Sequence, residues 1–345
     1  MADCDIKITF DKKEEIGQEG RNSKVFLVHD HQLEGDLVIK EIPKTQFNKP
    51  DEYFKEARLM FAQRHENVVE VQYAGMDADN IYIAMPYYKN GSLKHLISRG
   101  NFLTIRQVIR YAIQFLTGLN HIHSRNLLHF DIKPDNIMIA DNDVALLADF
   151  GLAKYTDVYG FTLQNTAYSI HVSPEQLASG LPQSRLTDIY QVGVTLYRMV
   201  NGNEMLYTQA PKGVDTRPLI LSGKFPNRRL YRAHVPARLA QIINKCMNVN
   251  PADRYDNVLQ IINELASITS HLDLQLALLP NGEEWNIVKN GHLNKIQLYF
   301  DGRVFTVKAQ KEVGGVLQNL NKLSLTSTKY PEVKKHLDTI FSSYD

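Results

Sequence analysis

The stretch His-Phe-Asp-Ile-Lys-Pro-Asp-Asn occupies residues 129–136, and Asp-Phe-Gly follows it at residues 149–151. The carboxylate of Asp131 can accept a proton from a hydroxyl group, and the ammonium of Lys133 can neutralise negative charge beside it. Asn136 and Asp149 offer the oxygen ligands that Mg²⁺ prefers in proteins. Together these four residues predict a magnesium-dependent active site that acts on a hydroxyl group.

The order and spacing of these residues resemble the protein kinase family, which carries His-x-Asp-x-Lys-Pro-x-Asn ahead of Asp-Phe-Gly. The resemblance implies phosphoryl transfer from ATP, in which Asp131 orients the acceptor hydroxyl and Lys133 stabilises charge on the transferred group. It also implies that Asn136 and Asp149 hold Mg²⁺. The Asp-x-Lys-Pro-x-Asn form is typical of serine/threonine kinases, so a protein substrate is expected.

Composition sets wide limits on the class of protein. The sequence has 345 residues, a hydrophobic fraction of 43% and a net charge of +1, which gives no reason to expect a nucleic-acid partner. The sequence has only two cysteines, Cys4 and Cys246, and they lie far apart. Such sparse cysteines fit a reducing compartment. No apolar run approaches the roughly 18 residues of a membrane span, and no secretory signal is seen. We therefore expect a cytoplasmic protein without a membrane span.

A glycine-containing turn precedes two strand-like segments near the N-terminus. Residues 24–28 and 37–40 are rich in β-branched and apolar residues, and the turn runs from Ile16 to Val25. This turn resembles the glycine-rich loop of kinases, in which backbone N–H groups approach the phosphates of ATP. The resemblance assigns Gly17, Gly20 and Val25 to nucleotide binding. Gly17 and Gly20 are one residue further apart than usual, so the motif is irregular.

Lys40 ends an apolar strand, where an unpaired ammonium group would be costly to bury. Residues 51–64 are predicted to form a helix after Pro50, and Glu56 lies on its apolar face. A glutamate in that position calls for a cationic partner. In kinases the corresponding pair orients the lysine toward the α- and β-phosphates, so the resemblance assigns Lys40 and Glu56 to ATP binding.

Residues from about 6 to 42 predict three strands in all, and a further apolar strand at residues 81–85 leads into the expected connection between two lobes. By resemblance, Met85 is the gatekeeper residue behind the adenine ring. The same resemblance assigns adenine recognition to the backbone C=O of Pro86 and the backbone N–H of Tyr88. Proline lacks an N–H but keeps its carbonyl oxygen, so Pro86 remains compatible with this role.

The pattern becomes helical after residue 92. Residues 103–124 carry a broad apolar face at helical spacing, and residues 137–139 and 144–147 predict a short hairpin that delivers Asp149. Two further amphipathic helices are predicted at residues 235–249 and 255–268. They complete a helical lobe near residue 270.

Three further residues match structural supports of the kinase family. Asp188 resembles the buried helix aspartate that accepts hydrogen bonds from the catalytic-loop backbone. Glu175, in Ser-Pro-Glu at residues 173–175, and Arg254 resemble the ion pair that braces the substrate platform.

Phe130 departs from the family, which usually has arginine between the loop histidine and aspartate. That arginine normally receives a phosphate on the activation segment, here residues 149–175. Phenylalanine cannot do so, and we predict that activity does not need phosphorylation through this pocket. The usual substrate-contacting threonine falls at Tyr168, with Thr166 or Ser169 as substitutes if the loop is shifted.

The last part of the sequence, residues 273–345, resembles no family that we recognise, but its pattern predicts a small α+β module. Asp301–Gly302 is a type I′ hairpin signal, which would pair Leu298 with Phe305 and Ile296 with Val307. Trp285 and Ile287 alternate in a possible third strand.

Two helices are predicted in the same module. Val313, Val316, Leu317 and Leu320 have helical spacing, as do Val333, Leu337, Ile340 and Phe341 after Pro331. The module's role is open between a passive stabilising cap and a docking site for a partner or substrate.

These features predict an α+β, bilobal, protein-kinase-like fold. Its expected parts are a β-rich N-lobe at residues 6–85, a hinge and helical C-lobe at residues 86–270, and the accessory module at residues 273–345. The predicted function is an ATP- and Mg²⁺-dependent serine/threonine protein kinase. Two alternatives remain: a pseudokinase that binds nucleotide or a partner, and a small-molecule phosphotransferase, against which Glu175 and Arg254 argue.

Overall fold

The computed structural model describes residues 7–17, 23–98, 100–164, 170–178 and 181–345. A β-rich lobe comes first, a helical lobe follows it, and a second β-rich region with one long helix ends the molecule. The predicted α+β, bilobal fold is thereby confirmed.

The first lobe is built on an antiparallel sheet in the order β1-β2-β3-β5-β4. Its strands, with one intervening helix, are β1 (Phe10–Glu15), β2 (Lys24–Asp30), β3 (Gly35–Pro43), α1 (Lys55–Ala62), β4 (Tyr73–Met76) and β5 (Asn80–Pro86). One face of the sheet buries Val28, Leu37, Ile39 and Ala84 together. The strands predicted at residues 24–28 and 37–40 are therefore confirmed.

Helix α1 is shorter than the predicted range of residues 51–64. The backbone after Lys49 first forms a 3-10 turn at Pro50–Glu52, and Phe54 then adopts dihedral angles outside the helical region (φ −105°, ψ 15°). The helix begins only at Lys55, and no side chain among the described residues caps its first turn. The predicted face is preserved, because Leu59 and Met60 are buried.

The second lobe consists mainly of helices, with four short strands that frame its loops. In sequence order these elements are α2 (Leu93–Leu96), α3 (Ile105–Ser124), β6 (Leu127–Leu128), β7 (Ile137–Ile139), β8 (Ala145–Leu147), β9 (Lys154–Tyr155), α4 (Pro174–Leu177), α5 (Arg185–Asn201), α6 (Asn203–Gln209), α7 (Arg217–Leu221), α8 (Ala237–Cys246) and α9 (Val258–Ala266). β6 pairs with β9, and β7 pairs with β8. The predicted hairpin before Asp149 is therefore confirmed.

Local sequence explains where the main helices begin. Thr104 and Gln107 form a capping box at the start of α3, so the helix begins two residues after the predicted start. Helices α8 and α9 lie inside their predicted ranges, and Asn257 caps α9 by accepting a hydrogen bond from Gln260 N–H.

Helix α5 is the centre of the second lobe. Every residue from Thr187 to Asn201 is buried, so the helix is surrounded by protein on all sides. Its polar groups therefore need protein partners, and several of these partners lie in the loop at residues 129–136.

The C-terminal module, residues 273–345, contains an antiparallel sheet and one helix. Its elements are β10 (Gln275–Leu279), β11 (Gly282–Lys289), β12 (His292–Phe300), β13 (Phe305–Val313), β14 (Val316–Asn319), β15 (Leu325–Ser327) and α10 (Tyr330–Ser342). The sheet order is β10-β11-β12-β13-β14, and β15 also pairs with β13. The predicted strand around Trp285 and the predicted last helix are both confirmed.

The helix predicted from Val313 to Leu320 is wrong. Gly314 and Gly315 both have positive φ angles, 59° and 80°, and form the turn between β13 and β14. Val313 then pairs with Val316 across an antiparallel hairpin. The apolar spacing is helical by coincidence, because the two glycines favour a tight turn over a helix.

The predicted register around Asp301–Gly302 is also wrong, by two residues on one strand. The structure pairs Phe300 with Phe305, and therefore Leu298 with Val307. The Asp301 carboxylate accepts hydrogen bonds from two backbone N–H groups of the turn, which widens the loop. The two phenylalanine rings stack at 4.4 Å across its base.

The module shares a hydrophobic core with the second lobe. Phe102 and Ala233 of the lobe are buried in the same cluster as Trp285 of the sheet and Phe341 of α10. Arg106 of α3 makes two hydrogen bonds to the Asp273 carboxylate, at 2.6 and 2.7 Å. The module is therefore docked on the lobe by apolar and charged contacts.

Candidate active site

The catalytic loop connects β6 to β7 and brings together three of the predicted residues. The Oδ2 atom of Asp131 accepts hydrogen bonds from Lys133 Nζ at 2.7 Å and from Asn136 Nδ2 at 2.8 Å. Asn136 Nδ2 also donates to the backbone oxygen of Asp131 at 2.9 Å. The loop is thus folded back on itself, and its polar groups converge on the Asp131 carboxylate.

Asp188 of α5 holds the start of this loop, as predicted. Its carboxylate accepts hydrogen bonds from the backbone N–H groups of His129, at 2.9 Å, and Phe130, at 2.8 Å. It also bonds to His123 Nε2 at 2.8 Å. Phe130 has a positive φ of 66°, which residues other than glycine rarely adopt. The carboxylate stabilises this conformation by satisfying both flanking donors.

Two further residues of α5 hold the loop and were not identified from the sequence. Gln191 accepts a hydrogen bond from Ile132 N–H at 2.9 Å and donates one to the Phe130 carbonyl at 2.8 Å. Thr195 donates to the Ile132 carbonyl at 3.2 Å. The sequence did carry a signal: polar residues spaced three and four positions apart, on the same face of an otherwise apolar helix as Asp188.

Lys40 bonds to two carboxylates, one from each lobe. Its Nζ lies 2.7 Å from Glu56 Oε1 and 2.9 Å from Asp149 Oδ1. The structure thus forms the predicted Lys40–Glu56 ion pair, and a second pair to Asp149 joins it. Asp149 has a positive φ of 61° at the start of Asp-Phe-Gly. Such backbone strain is typical of functional sites.

The charges of this trio are set by mutual neutralisation. Burial alone would lower the pKa of Lys40, but Asp149 and Glu56 outweigh it and raise that pKa. Burial would likewise raise the pKa of Asp149, but the Lys40 ammonium lowers it well below the usual range. The pKa of Glu56 is raised, first by burial, because one lysine serves two carboxylates. Lys40 therefore stays cationic and Asp149 anionic at neutral pH.

The trio and the loop are connected through the residue before Asp149. Ala148 N–H donates to the Asn136 carbonyl at 2.9 Å, and the Ala148 carbonyl lies 3.0 Å from His129 Nε2. Burial lowers the pKa of His129, so its ring is neutral and packs edge-on against Phe150. Hydrogen bonds through Ala148 thus join the Lys40–Glu56–Asp149 trio to the loop that carries Asp131.

The oxygen chemistry of the site fits Mg²⁺. Asn136 uses its amide nitrogen for both hydrogen bonds to Asp131, which leaves its amide oxygen for a cation. Asp149 adds an ionised carboxylate. Among the described residues, no three His, Cys, Asp or Glu residues form a metal site by themselves. Mg²⁺ is commonly held by one or two protein oxygen ligands together with phosphates and water, and the oxygens of Asn136 and Asp149 fit that requirement.

The glycine turn approaches the strand that precedes Lys40. Gly17 N–H donates to the Val25 carbonyl at 3.3 Å, and Val25 pairs with Lys40 across β2 and β3. A Cβ atom on Gly17 would lie 2.6 Å from the Cβ of Val25, so the close approach requires glycine. Gly20 lies outside the described residues.

The predicted adenine-binding residues lie at the end of β5. Met85 pairs with Val38 of β3, and β5 ends at Pro86. Tyr88 follows in the connection to α2, where burial and then the charge of Glu70 raise its pKa to about 12. Within the part of the molecule that the structure describes, no hydrogen bond links these residues to Lys40.

The brace of the activation segment is present as predicted. Arg254 makes two hydrogen bonds to the Glu175 carboxylate, at 2.7 and 2.8 Å, and both residues are buried. Such a bidentate pair fixes geometry as well as charge. Thr166, Tyr168 and Ser169 lie outside the described residues.

Comparison with known proteins identifies the family. A family model described as the protein kinase domain matches residues 10–265. A protein of Clostridium acetobutylicum named "Probable serine/threonine-protein kinase" is 31% identical over 265 residues, covering 75% of this protein and 40% of the relative. Serine/threonine-protein kinase pkn3 of Myxococcus xanthus is 30% identical over 255 residues, covering 68% and 46%.

A third relative, serine/threonine-protein kinase PrkC of Bacillus subtilis, is 27% identical over 243 residues, covering 69% of this protein and 37% of the relative. The match therefore spans less than half the length of these curated relatives. In the part of the sequence that the structure describes, no helix has both the length and the apolar character needed to cross a membrane. On the match that covers residues 10–265, the protein belongs to the protein kinase family.

Proposed function

We propose that this protein is an ATP-dependent serine/threonine protein kinase that requires Mg²⁺. The observation that carries the proposal is the Lys40–Glu56–Asp149 trio joined to the Asp131 loop. An apolar substitute for the trio would be cheaper to bury, so three charges in one place favour a functional role over a structural one. The names of the relatives point to the same activity.

The catalytic loop would prepare the acceptor. Lys133 and Asn136 hold one oxygen of Asp131, which leaves the other oxygen to orient the acceptor hydroxyl and receive its proton. Lys133 lies beside that carboxylate and would stabilise charge on the transferred group. Asn136 and Asp149 would hold Mg²⁺. Bound ATP would supply the phosphoryl group, and bound Mg²⁺ would neutralise the charge of its oxygens.

The first lobe would hold the nucleotide. Lys40, oriented by Glu56, would contact the phosphates, while Gly17 and Gly20 would let backbone N–H groups approach them. Val25 would cover the base from above, since it is the neighbour of Lys40 in the sheet.

The connection after β5 would read the adenine edge. Met85 would lie behind the base, and the backbone C=O of Pro86 and N–H of Tyr88 would bond to it. Only backbone groups are involved, so the chemistry survives the loss of an N–H at proline.

We also propose a division into an N-lobe (6–85), a hinge and C-lobe (86–270) and the module (273–345). A protein substrate, a cytoplasmic location and docking of a partner on residues 273–345 belong to the same proposal. Docking is supported by Val288 and Val316, which are exposed on the module. The cytoplasm supplies the ATP that the reaction needs.

The alternative is a pseudokinase that binds nucleotide or a partner without turnover. Two features favour it: the irregular spacing of Gly17 and Gly20, and phenylalanine at position 130 in place of the usual arginine.

The two functions are separated by incubating the full-length protein with labelled ATP, Mg²⁺ and a generic protein acceptor. The matched variants are Asp131→Asn and, as a control, Asp51→Asn on the exposed surface. Transfer of label to serine or threonine that is abolished in Asp131→Asn and kept in Asp51→Asn would support the kinase. ATP binding without any transfer in the wild-type protein would instead support the pseudokinase.

A further inference from the structure

An arginine in the last turn of α5 is almost completely buried. Arg198 is 2% exposed, although a guanidinium is among the costliest groups to remove from water. It belongs to none of the family motifs described above. A buried cation persists only when its donors are well paired, so its partners indicate what it does.

The partners of Arg198 come from three separate segments. Nη1 donates to Asp135 Oδ2 in the catalytic loop at 3.2 Å and to His171 Nε2 in the activation segment at 2.9 Å. Nε and Nη2 donate to Asn203 Oδ1 at 3.0 and 2.8 Å, and Nη2 also donates to the Tyr207 hydroxyl at 3.2 Å.

His171 lies two residues before Ser173, which caps α4, and is itself buried. Because Arg198 can only donate, His171 Nε2 must accept, which requires a neutral ring. Burial and then the charge of Arg198 lower the pKa of His171 well below its usual value, so this state is kept at neutral pH. The end of the activation segment is therefore tied to α5 without a phosphate.

Asp135 is held from both sides. Its Oδ1 lies 2.9 Å from Lys94 Nζ, and its Oδ2 accepts from Arg198. Asp135 directly precedes Asn136, which bonds to the Asp131 carboxylate. A shift of Arg198 would therefore be passed within one residue to the group that holds Asp131.

We propose that Arg198 is a positioning residue that couples the end of the activation segment to the catalytic loop, and that its bonds to His171 and Asp135 keep both in place without phosphorylation. The inference rests on the proposed kinase function. Arg198 takes the role of the arginine that is usually found at position 130. The cation then comes from α5 instead of the loop, and its partner is a neutral histidine instead of a phosphate.

The test uses the full-length protein after phosphatase treatment, with hydrogen exchange followed in peptides that cover residues 131–136 and 170–178. The first variant is His171→Leu, which removes one partner and leaves the bonds of Arg198 to Asp135 and Asn203. Loss of a hydrogen bond to a charged group is expected to raise exchange at residues 170–178 by about tenfold or more. His171→Gln, whose amide oxygen can accept from Arg198, is expected to restore protection.

Kinetics separate positioning from a merely structural role. In His171→Leu we expect kcat for a protein substrate to fall by about tenfold to a hundredfold, as small displacements of a reacting group do. The KM for ATP should stay unchanged, because Lys40 is held by Glu56 and the segment that follows β5 is separate from His171 and Arg198. Arg198→Lys, which keeps charge but loses the planar fork, should show the same split more strongly.

Two results would overturn the proposal: wild-type exchange at residues 170–178 in His171→Leu, or exchange there that rises in the wild-type protein when phosphate is removed. The exchange measurement needs no turnover. A protein that transfers no phosphate but loses protection in His171→Leu would contradict the proposed function and leave the coupling intact.

Discussion

Replacing Asp188 by asparagine tests how the catalytic loop is held. Asp188 is completely buried, and its two oxygens accept from His129 N–H and Phe130 N–H while one also bonds to His123 Nε2. Asparagine has nearly the same shape but only one acceptor oxygen. Whichever way the amide is turned, its NH₂ group faces a backbone or ring donor.

The magnitude follows from these contacts. A hydrogen bond to a charged group contributes about 1.5–3 kcal/mol, and a buried donor left unpaired costs about 1–3 kcal/mol. In the other direction, a neutral amide is easier to bury than a carboxylate. We expect Asp188→Asn to lower the free energy of unfolding by about 2–4 kcal/mol after this offset. With Phe130 held less firmly at its positive φ, kcat should fall by about a hundredfold.

The assay is urea unfolding together with steady-state kinetics on the same preparations. The unfolding midpoint should fall without a change in slope, which would mark a change in stability and not in the unfolded state. The KM for ATP should change little, because Lys40 does not contact Asp188. Asp215→Asn is the control: this aspartate is exposed and pairs with nearby Arg217 on the surface, so neither measurement should move.

An Asp188→Asn protein with the midpoint and kcat of the wild type would refute the reasoning. It would mean that the loop keeps its shape without the carboxylate. A lowered midpoint with normal kcat would refute the link between this anchor and the position of Asp131.

Three further predictions follow from the charges and the core. Lys40→Met should lower kcat/KM for ATP by about 10²–10³, since Glu56 and Asp149 then face each other without a cation, and steady-state kinetics would show this. Burial would raise the pKa of Glu175, but Arg254 lowers it. The loss of stability caused by Glu175→Gln should therefore be constant above roughly pH 5 and become smaller as acid protonates the carboxylate of the native protein. Urea unfolding at several pH values would measure this difference. Trp285→Ala should cost about 3–5 kcal/mol in unfolding followed by circular dichroism.

The sequence predicted the parts of the site that depend on local spacing. Asp131, Lys133 and Asn136 lie within six residues, so a single loop brings them together once it folds back. The Lys40–Glu56 pair joins distant positions, but a lysine at the end of an apolar strand and a glutamate on an apolar helix face each require a partner. The cost of burying unpaired charge called for a partner for each residue, and the resemblance to kinases identified the pair.

The module shows where local patterns fail. From Val313 to Leu320 the apolar residues have helical spacing, yet Gly314 and Gly315 interrupt them and form a turn with positive φ angles. At Asp301–Gly302 the dipeptide favoured a two-residue turn, but the Asp301 carboxylate bonds to the backbone and the loop widens. In both places the conformational preference of a turn residue outweighed the apolar pattern around it. A count of apolar positions does not include that preference.

One face of α5 determines the geometry of the catalytic loop. Asp188, Gln191, Thr195 and Arg198 recur every three or four residues, and their bonds advance along the loop from residue 129 to residue 135. A helix that is buried on all sides offers fixed hydrogen-bond partners, so the loop is held at each step along it. Catalysis by positioning requires that order to exist in advance. We therefore expect the bonds to α5 to keep the loop in place without a phosphate, and this would explain how the protein tolerates phenylalanine at position 130.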